Sequence, residues 1–242
     1  GQESKSEWVR SLATLSPDAV IATGDFLSHK EGVPGALGAL EPLMELPGAF
    51  VLGSNDYYSP KPINPLKYFS GPSTITPTRP MLDWEPLAHG MSDNGWLDLT
   101  NTQVDWNVNG RLISVKGVDD PHIDRDDYAG ITNSFNEQAD LTLGVVHAPY
   151  LRVLDAMAAD NAQLILAGHT HGGQVRVPGY GALVTNCDLD TARASGLSQH
   201  QGSALHVSAG LGCSRYAPFR FACPPEATLI TLKPRSSHLE WS

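Results

Sequence analysis

The stretch LILAGHTHGGQV, residues 164–175, changes its character within a few positions. Four apolar residues, Leu164–Ala167, are followed by a glycine, by His169 and His171, and by two more glycines. A short apolar run that is bounded by glycine predicts a buried strand. Two imidazoles at the point where that strand ends predict a polar site at its carboxyl end.

Much of the chain repeats the order of a helix followed by an apolar strand. Apolar residues at helical spacing occur over residues 4–15, 37–44 and 150–157, and each stretch leads into a short apolar run. Helices that alternate with strands predict parallel neighbouring strands joined by crossover helices. The predicted strands of this kind are AVIATG (19–24), GAFVLG (48–53), LTLGVVH (141–147) and AQLILAGH (162–169).

Other parts of the chain carry short runs that are separated by turns. These runs are STITPT (73–78), RLISVKGV (111–118), ALHVSAGLG (204–212) and ATLITLK (227–233). The first two indicate antiparallel pairing, and the last two predict strands in the tail. Many short strands with a few amphipathic helices pack economically as two sheets with helices outside them. We therefore expect an α/β fold with four layers, an α-β-β-α sandwich of mixed sheets, in one domain over residues 1–242.

The charge of the chain argues against a nucleic-acid partner. The 242 residues include 16 Lys and Arg against 26 Asp and Glu, which gives a formal net charge of -10. Phosphate backbones are bound mainly by clustered Lys and Arg, and here these residues are scattered. No apolar run approaches the roughly 20 residues of a membrane span, so none is expected in this chain. The compartment, cytoplasmic or surface-associated through a preceding segment, and the oligomeric state stay open.

Three cysteines, Cys187, Cys213 and Cys223, form neither a CxxC motif nor an even set of disulfides. One interpretation is that they are small buried apolar side chains. The other is a bridge between Cys213 and Cys223.

Four of the predicted apolar strands end on a potential metal ligand. These residues are Asp25, Asn55, His147 and His169, the last with His171 two positions later. In open α/β sheets, ligands bind outside the carboxyl ends of the strands. Because adjacent strands lie about 4.8 Å apart, side chains at these ends can converge on one or two metal ions.

The residue types favour hard or borderline divalent cations, Mn, Fe or Zn, over a structural site made of cysteines. A carboxylate such as that of Asp25 can bridge two ions, an amide offers its carbonyl oxygen, and neutral imidazoles offer nitrogen. If extended, His169 and His171 would share one face of the chain. The glycines Gly172 and Gly173 would then let a substrate oxygen approach the backbone closely.

Each of these residues also has an ordinary structural interpretation. A histidine after a strand, such as His147, is often a satisfied core or surface residue. Asp25, Asn55 and Asp56 follow glycines and are typical of turns. Only their recurrence at strand ends favours a shared site.

The order of these motifs resembles that of the calcineurin-like metallophosphoesterase superfamily. The matching motifs are GD at 24–25, GSND at 53–56, the strand-end His147 and GHTH at 168–171. The segments HTHGGQVRVPG and GLGCSRYAPFRFACPPEATLITL further resemble the bacterial YkuE-like branch of that family. A metallo-β-lactamase pattern, H-x-H-x-D-H, would need Asp where Gly173 stands.

The resemblance implies a two-metal phosphoesterase. Asp25 would bridge the two divalent ions (Mn, Fe or Zn), Asn55, His147 and His169 would complete one site, and His171 would belong to the other. The ions would clamp the phosphate and lower the pKa of a shared water, and the resulting metal-activated hydroxide would hydrolyse a phosphomonoester or phosphodiester. The substrate expected from this resemblance is a small-molecule or lipid-linked phosphate ester.

The sequence departs from the family pattern at two places. No D-x-H motif precedes Gly24, so we expect the domain to lack the family's first strand and the two ligands on it. GSND stands where the family has GNHD, so a small shift makes Asn55 the ligand and removes the usual histidine acid. Asp56 is then the predicted catalytic replacement.

Two questions stay open at this point. The loop GVDDPHIDRDDY, residues 117–128, is either a solvated loop or a border of the substrate entrance through Asp119, His122 or Arg125. The segment GSNDYYSPKPINP, residues 53–65, has the composition of a lid or rim. The alternative function is a phosphoesterase fold that serves as a binding or scaffold module with an incomplete metal site.

Overall fold

The computed structural model describes residues 2–60, 79–213 and 218–234, and its side chains from residue 3. The predicted strand STITPT and residues 61–65 of the expected lid segment lie outside these residues. None of the helices in the described ranges has both the length and the apolar character that a membrane-spanning helix needs.

The helices are short and alternate with strands over much of the chain. The α-helices in the described ranges are α1 (Gln2–Ser11), α2 (Val33–Met44), α3 (Ser54–Tyr57), α4 (Glu85–Asp93) and α5 (Leu151–Ala159). The strands are β1 (Val20–Ala22), β2 (Gly48–Phe50), β3 (Leu97–Asp98), β4 (Thr102–Val108), β5 (Arg111–Gly117), β6 (Leu141–Val146), β7 (Leu164–Ala167), β8 (Arg176–Val177), β9 (Gly181–Ala182), β10 (Gly196–His200) and β11 (Ser203–Val207). Short 3-10 turns cover Leu12–Leu15, Pro121–Ile123, His171–Gly173 and Thr191–Arg193.

The strands form two main sheets and one small hairpin. The first sheet has the order β1-β2-β3 and is parallel throughout. The second has the order β10-β11-β7-β6-β5-β4, with four parallel strands in the middle and antiparallel pairs at both edges. Strands β8 and β9 form the hairpin. The predicted parallel core and the antiparallel pairing before residue 118 are both confirmed for the described strands.

Three separate apolar clusters show how the layers pack. In β2, Ala49 packs between the two sheets, whereas Phe50 points to the opposite face, towards α2 and α4. In β7, Leu164 packs between the sheets and Ile165 packs towards α5. This alternation is the one expected along strands that are covered on both faces. The expected four-layer α-β-β-α sandwich with mixed sheets is therefore confirmed.

The prediction of a strand at ATLITLK is wrong. Residues 227–233 have no strand partner within the described part of the chain, and Leu229 and Leu232 are 57% and 56% exposed. An apolar run of this kind forms a strand only where a neighbouring strand supplies hydrogen bonds, and the described neighbours supply none here.

The cysteines follow the first interpretation. All three are free thiols, and Cys187 and Cys223 are buried.

We predict that the contact between β2 and Trp96 limits residue 48 to glycine. A Cβ added to Gly48 would overlap the buried Trp96 indole, whose Nε1 donates to the Leu46 carbonyl. Gly48→Ala should therefore lower the free energy of unfolding by about 1–3 kcal/mol, the usual cost of overpacking. Chemical unfolding followed by circular dichroism measures this change.

Gly38→Ala is the matched control, because a Cβ at this position in α2 meets no atom within 4 Å. It should stabilise the protein by about 0.5–1 kcal/mol, since alanine is the better helix former. Equal effects of the two substitutions would contradict the packing described for Trp96.

Candidate functional site

Parallel registers bring the carboxyl ends of four strands to the same edge of the sandwich. Ala22 pairs with Phe50 in the first sheet, and Val146 pairs with Ala167 in the second. Each of these residues is the last of its strand. The residues that follow turn sharply, and Asp25 and His169 adopt positive φ angles of 63° and 65°. Left-handed backbone cannot continue a strand, so the side chains after these strands point into the gap between the sheets' ends.

The structure brings Asp25, His147 and His169 together. His147 Nε2 lies 3.5 Å from Asp25 Oδ1 and 3.3 Å from His169 Nδ1. The two imidazole rings meet edge to face with centroids 5.2 Å apart. These three predicted ligands, from three separate segments, therefore form one contact cluster, which Asn55 joins through Asp25. Their role as ligands stays a prediction.

The outer nitrogens of both imidazoles face backbone carbonyls. His147 Nδ1 lies 2.6 Å from the Thr23 carbonyl oxygen, and His169 Nε2 lies 3.2 Å from that of Asn186. A carbonyl only accepts, so these outer nitrogens carry the hydrogens. In neutral rings the lone pairs then sit on His147 Nε2 and His169 Nδ1, which face each other beside a carboxylate. This donor set has the form of a metal ligand set oriented by backbone carbonyls.

Two glycines make this convergence possible. A Cβ on Gly53 would lie 2.5 Å from His147 Cε1, and a Cβ on Gly24 would lie 2.7 Å from His147 Nδ1. Gly24 also has a φ of 91°, which disfavours any other residue. The glycines in GD and GSND are therefore required by the close approach of His147 and Asp25.

The pKa values of the two histidines in the cluster shift in opposite directions. Burial opposes the charge on His147, but Asp25 and Asp120 outweigh it and raise the pKa of His147. Burial and the neighbouring imidazoles His122 and His147 hold the pKa of His169 well below its usual value. His169 is therefore neutral and able to offer a lone pair. A metal ion that binds His147 displaces its proton, as is general for imidazole ligands.

Asn55 contacts the carboxylate of Asp25 twice. Its backbone N–H donates to Asp25 Oδ1 at 2.9 Å, and its amide nitrogen donates to Oδ2 at 2.6 Å. Burial opposes ionisation of Asp25, but the charge of His147 and these hydrogen bonds lower its pKa overall. Asn55 thus orients the carboxylate through its donors, and coordination through its carbonyl oxygen stays a prediction.

Asp56 is completely buried and accepts three backbone hydrogen bonds. Oδ2 accepts from the N–H groups of Asp25 (2.8 Å) and Gly53 (2.9 Å), and Oδ1 accepts from that of Leu27 (2.8 Å). Burial, together with the charge of Asp25, raises the pKa of Asp56 to about 7, although the three donors partly offset it. These contacts are those of a residue that ties two turns together. The predicted role as proton donor stays a prediction.

His171 does not continue from His169 as an extended chain, so that expectation is wrong. It begins a 3-10 turn with a φ of 50°, and its imidazole packs against Gly212. Its carbonyl accepts from Arg220 Nη2 at 2.8 Å and from Cys223 Sγ at 3.3 Å. Burial, with the charge of Arg220, lowers the pKa of His171, while Asp25 opposes this shift. His171 therefore senses the charge of Asp25 without joining the described contact cluster.

The two glycines after His171 serve packing instead of approach by a substrate. A Cβ on Gly172 would lie 2.7 Å from Cys223 Sγ and 2.8 Å from the Ala209 Cβ. Gly173 is similarly closed off by Ala182 of β9. Both glycines are buried against the later part of the chain, so the expectation that they open the backbone to a substrate oxygen is wrong.

The loop after β5 contributes Asp120 and His122 to the site. The sequence named His122 as one possible border of the substrate entrance but did not single out Asp120. Asp120 is fully buried, and its Oδ1 accepts from the His122 N–H at 2.9 Å. Asp120 Oδ2 has no hydrogen-bond partner among the described residues. The His122 ring lies 4.6 Å from that of His169, centroid to centroid, and its Nδ1 lies 2.9 Å from the Tyr150 hydroxyl.

The pKa shifts of these residues follow from their burial. Burial raises the pKa of Asp120 to about 7, and His147 opposes this shift. Burial and the charge of His147 lower the pKa of His122 to about 4. Because β5 pairs in parallel with β6, the rule that ligands follow strand ends also applied to this loop. Applying it there would have found Asp120.

As the side chains stand, no group of three or more His, Cys, Asp or Glu within the described residues is arranged to hold a metal ion. The chemistry of the donor set nevertheless fits a cation. Two inward lone pairs, the carboxylate of Asp25 and the unpartnered Asp120 Oδ2 are all groups that a cation satisfies.

The sequence pattern of the calcineurin-like phosphoesterase family matches residues 2–173. The chain belongs to the calcineurin-like phosphoesterase family.

Three proteins of Bacillus subtilis (strain 168) are similar to this chain. YkuE, an uncharacterized metallophosphoesterase, is 32% identical over 126 residues, which cover 52% of this chain and 42% of YkuE. YkoQ, also an uncharacterized metallophosphoesterase, is 28% identical over 200 residues, covering 81% of this chain and 65% of YkoQ. The uncharacterized protein YpbG is 30% identical over 57% of this chain and 49% of its own. These matches support placing the chain in the bacterial YkuE-like branch. The chain spans only part of each relative, from 42% of the length of YkuE to 65% of that of YkoQ.

We predict that Asp56 stabilises the two turns at the site. In Asp56→Asn, one carboxylate oxygen becomes an NH₂ group that faces backbone N–H donors. The free energy of unfolding should fall by about 1–3 kcal/mol, the cost of leaving buried donors unpaired. Urea unfolding at pH 8 followed by tryptophan fluorescence measures this loss.

Asp83→Asn, at an exposed position before α4, is the control and should change the unfolding midpoint little. A midpoint for Asp56→Asn equal to that of the control would contradict the bracing role of Asp56.

Proposed function

We propose that this family member is a binuclear metal-dependent hydrolase of phosphomonoesters or phosphodiesters. Membership of the family supports metal-dependent phosphoesterase chemistry in general. The observation that carries the finer proposal is the pair of inward-facing imidazole nitrogens, His147 Nε2 and His169 Nδ1, beside the Asp25 carboxylate. Their outer nitrogens are held by backbone carbonyls, so the pair is set up to share a cation.

In this proposal Asp25, His147 and His169 hold the first cation, and Asn55 supplies its carbonyl oxygen. Asp25 offers its second oxygen, and His171 its imidazole, to the second cation. Divalent ions such as Mn, Fe or Zn supply Lewis acidity and lower the pKa of water when bound. The mixture of carboxylate, amide and imidazole without thiolate suits each of these metals.

The protein's own residues keep this arrangement rigid. The carbonyls of Thr23 and Asn186 fix the orientation of the two imidazoles, and Asn55 fixes that of Asp25. We infer that Asp56 acts as a positioning residue, because it ties the turn of Asp25 to that of Gly53. Preorganised groups of this kind lose little entropy when a phosphate ester binds.

We predict that hydrolysis of a generic phosphate ester depends on His169. Protein expressed from its complete reading frame should release nitrophenol from bis(p-nitrophenyl) phosphate or p-nitrophenyl phosphate in the presence of Mn²⁺. His169→Ala should lower kcat/KM at least about 100-fold, since loss of a metal ligand removes several kcal/mol of transition-state stabilisation. Absorbance at saturating metal measures the rates, and the ratio of the two substrates reports monoesterase against diesterase activity.

His89→Ala, on the exposed face of α4, is the control and should keep the activity of the unsubstituted protein. Turnover that is independent of added metal, or that survives His169→Ala, would overturn the proposed function.

We further predict that Asp120 strengthens binding of the cation. Asp120→Asn should weaken Mn²⁺ or Zn²⁺ binding about tenfold or more, as is usual for carboxylates beside a metal site. The metal-free protein should keep or gain stability, because the substitution removes a buried charge whose Oδ2 has no partner among the described residues. Calorimetric metal titration and thermal unfolding without metal measure the two effects.

Asp124→Asn, in the same loop with a 96% exposed side chain, is the control for Asp120→Asn. If the Asp120 variant binds metal as the control does, Asp120 makes no contribution to the site.

The alternative is a binding or scaffold module with an incomplete metal site. One observation favours it: the described side chains do not stand in a metal-holding group of three. Metal titration separates the two proposals. A chain that binds no divalent cation, and a chain that binds one without any turnover, both favour the module.

A further inference from the structure

The Arg125 side chain, in the loop after β5, is held by two buried residues, Asp119 and Tyr57. Its Nε donates to Asp119 Oδ2 at 2.7 Å, and its guanidinium carbon lies 4.2 Å from the centre of the Tyr57 ring. Asp119 Oδ1 accepts from the Tyr57 hydroxyl and from the Asp120 N–H, each at 2.8 Å. Both Tyr57 and Asp119 are buried, so the platform under Arg125 is rigid.

Within the described residues, most donors of the guanidinium have no hydrogen-bond partner. Its side chain donates there to Asp119, whereas a guanidinium carries five N–H donors. The Arg125 side chain is 37% exposed, so its outer edge faces solvent. A planar guanidinium that a carboxylate and an aromatic ring already orient is suited to binding an oxyanion through two parallel hydrogen bonds.

The two residues that hold Arg125 are sequence neighbours of Asp56 and Asp120, two buried carboxylates of the site. Tyr57 follows Asp56 at the end of α3, and Asp119 precedes Asp120 in the loop after β5. None of the described side-chain contacts of Arg125 is with Asp25 or with a candidate histidine ligand. The link between Arg125 and the site is the backbone next to Asp56 and Asp120, which carries the two residues that hold the guanidinium. Arg79, whose charge lowers the pKa of His122, adds a second cation near the same loop.

We propose that Arg125 binds a second oxyanion of the substrate, a phosphoryl or carboxylate group attached close to the scissile phosphate. This inference rests on the proposed phosphoesterase function and assigns to it a substrate class with two neighbouring anionic groups. Arg125 is a specificity-determining residue in this proposal. Asp119 and Tyr57 are positioning residues, since they act through Arg125.

The test compares ligands that carry one and two anionic groups. Calorimetry at a fixed free Mn²⁺ concentration measures the affinities of phosphate, imidodiphosphate and phosphonoacetate. The unsubstituted protein should bind one or both of the two-group ligands at least about tenfold more tightly than phosphate, since hydrogen bonds to charged groups contribute this much. Preference for imidodiphosphate indicates a phosphoryl group, and preference for phosphonoacetate indicates a carboxylate.

Two substitutions of Arg125 and one control complete the experiment. Arg125→Gln should bring the affinity ratio close to one, and Arg125→Lys should keep only part of it, because an ammonium lacks the planar fork. Arg125→Lys also keeps a cation beside Asp119, so it reports on the site even if the glutamine variant does not fold. Arg111→Gln, at the amino end of β5 with a 72% exposed side chain, should keep the full ratio.

A ratio near one in the unsubstituted protein, or a full ratio in both Arg125 variants, would overturn the proposal. Failure of the proposed function is a separate result. In that case no nitrophenyl ester is hydrolysed with any divalent metal, although the calorimetric ratio is still measured and still depends on Arg125.

Discussion

The site depends on one constraint: the imidazoles of His147 and His169 must keep their facing nitrogens free of other partners in a largely buried part of the protein. Backbone carbonyls meet the outer nitrogens of His147 and His169, which leaves the inner nitrogens 3.3 Å apart beside the carboxylate of Asp25. Without a proton or a cation between them, two acceptors at this distance are unfavourable. Because Gly24 and Gly53 have no side chains, the His147 ring can pack directly against their backbone.

The sheets supply the positions, and buried hydrogen bonds keep the turns from relaxing. Parallel registers align the ends of β1 with β2 and of β6 with β7, but backbone after a strand end is free to turn in many directions. Asp56 removes this freedom in the first sheet, because one carboxylate accepts from residues on both turns. Asn55 then fixes the rotamer of Asp25. Side chains therefore hold Asp25, which follows the first sheet. Backbone carbonyls hold His147 and His169, which follow the second sheet.

Much of this arrangement was predictable from the sequence, and the failures have physical causes. Strand ends marked by Asp25, His147 and His169 were sufficient to place these residues at one edge, since periodicity and chain order determine that edge. Residues 227–233 show one limit of prediction from sequence. A short apolar run can suggest a strand, but it does not reveal whether another strand is there to pair with it. Gly172 shows a second limit of the sequence. A glycine that leaves room for a ligand cannot be distinguished there from one that leaves room for a neighbouring side chain such as that of Cys223. Asp120 was missed because its loop carries five aspartates, and the sequence does not distinguish a buried one such as Asp120 from an exposed one such as Asp124.

Charge balance connects the candidate ligands with the loop after β5. Asp25, Asp56 and Asp120 are carboxylates in a buried region, and burial raises the pKa of the last two to about 7. A low-dielectric site tolerates so much negative charge only if cations or protons compensate it. The single protonatable partner within contact of Asp25 is, in the described residues, His147. Arg125 cannot take this role, because Asp119 already neutralises it and Tyr57 holds it outside the cluster. Protons on Asp56 and Asp120 supply part of this compensation, because the pKa of each is raised to about 7. In the proposed function bound cations supply the rest, and the directional donors of Arg125 are left for an anionic group of the substrate.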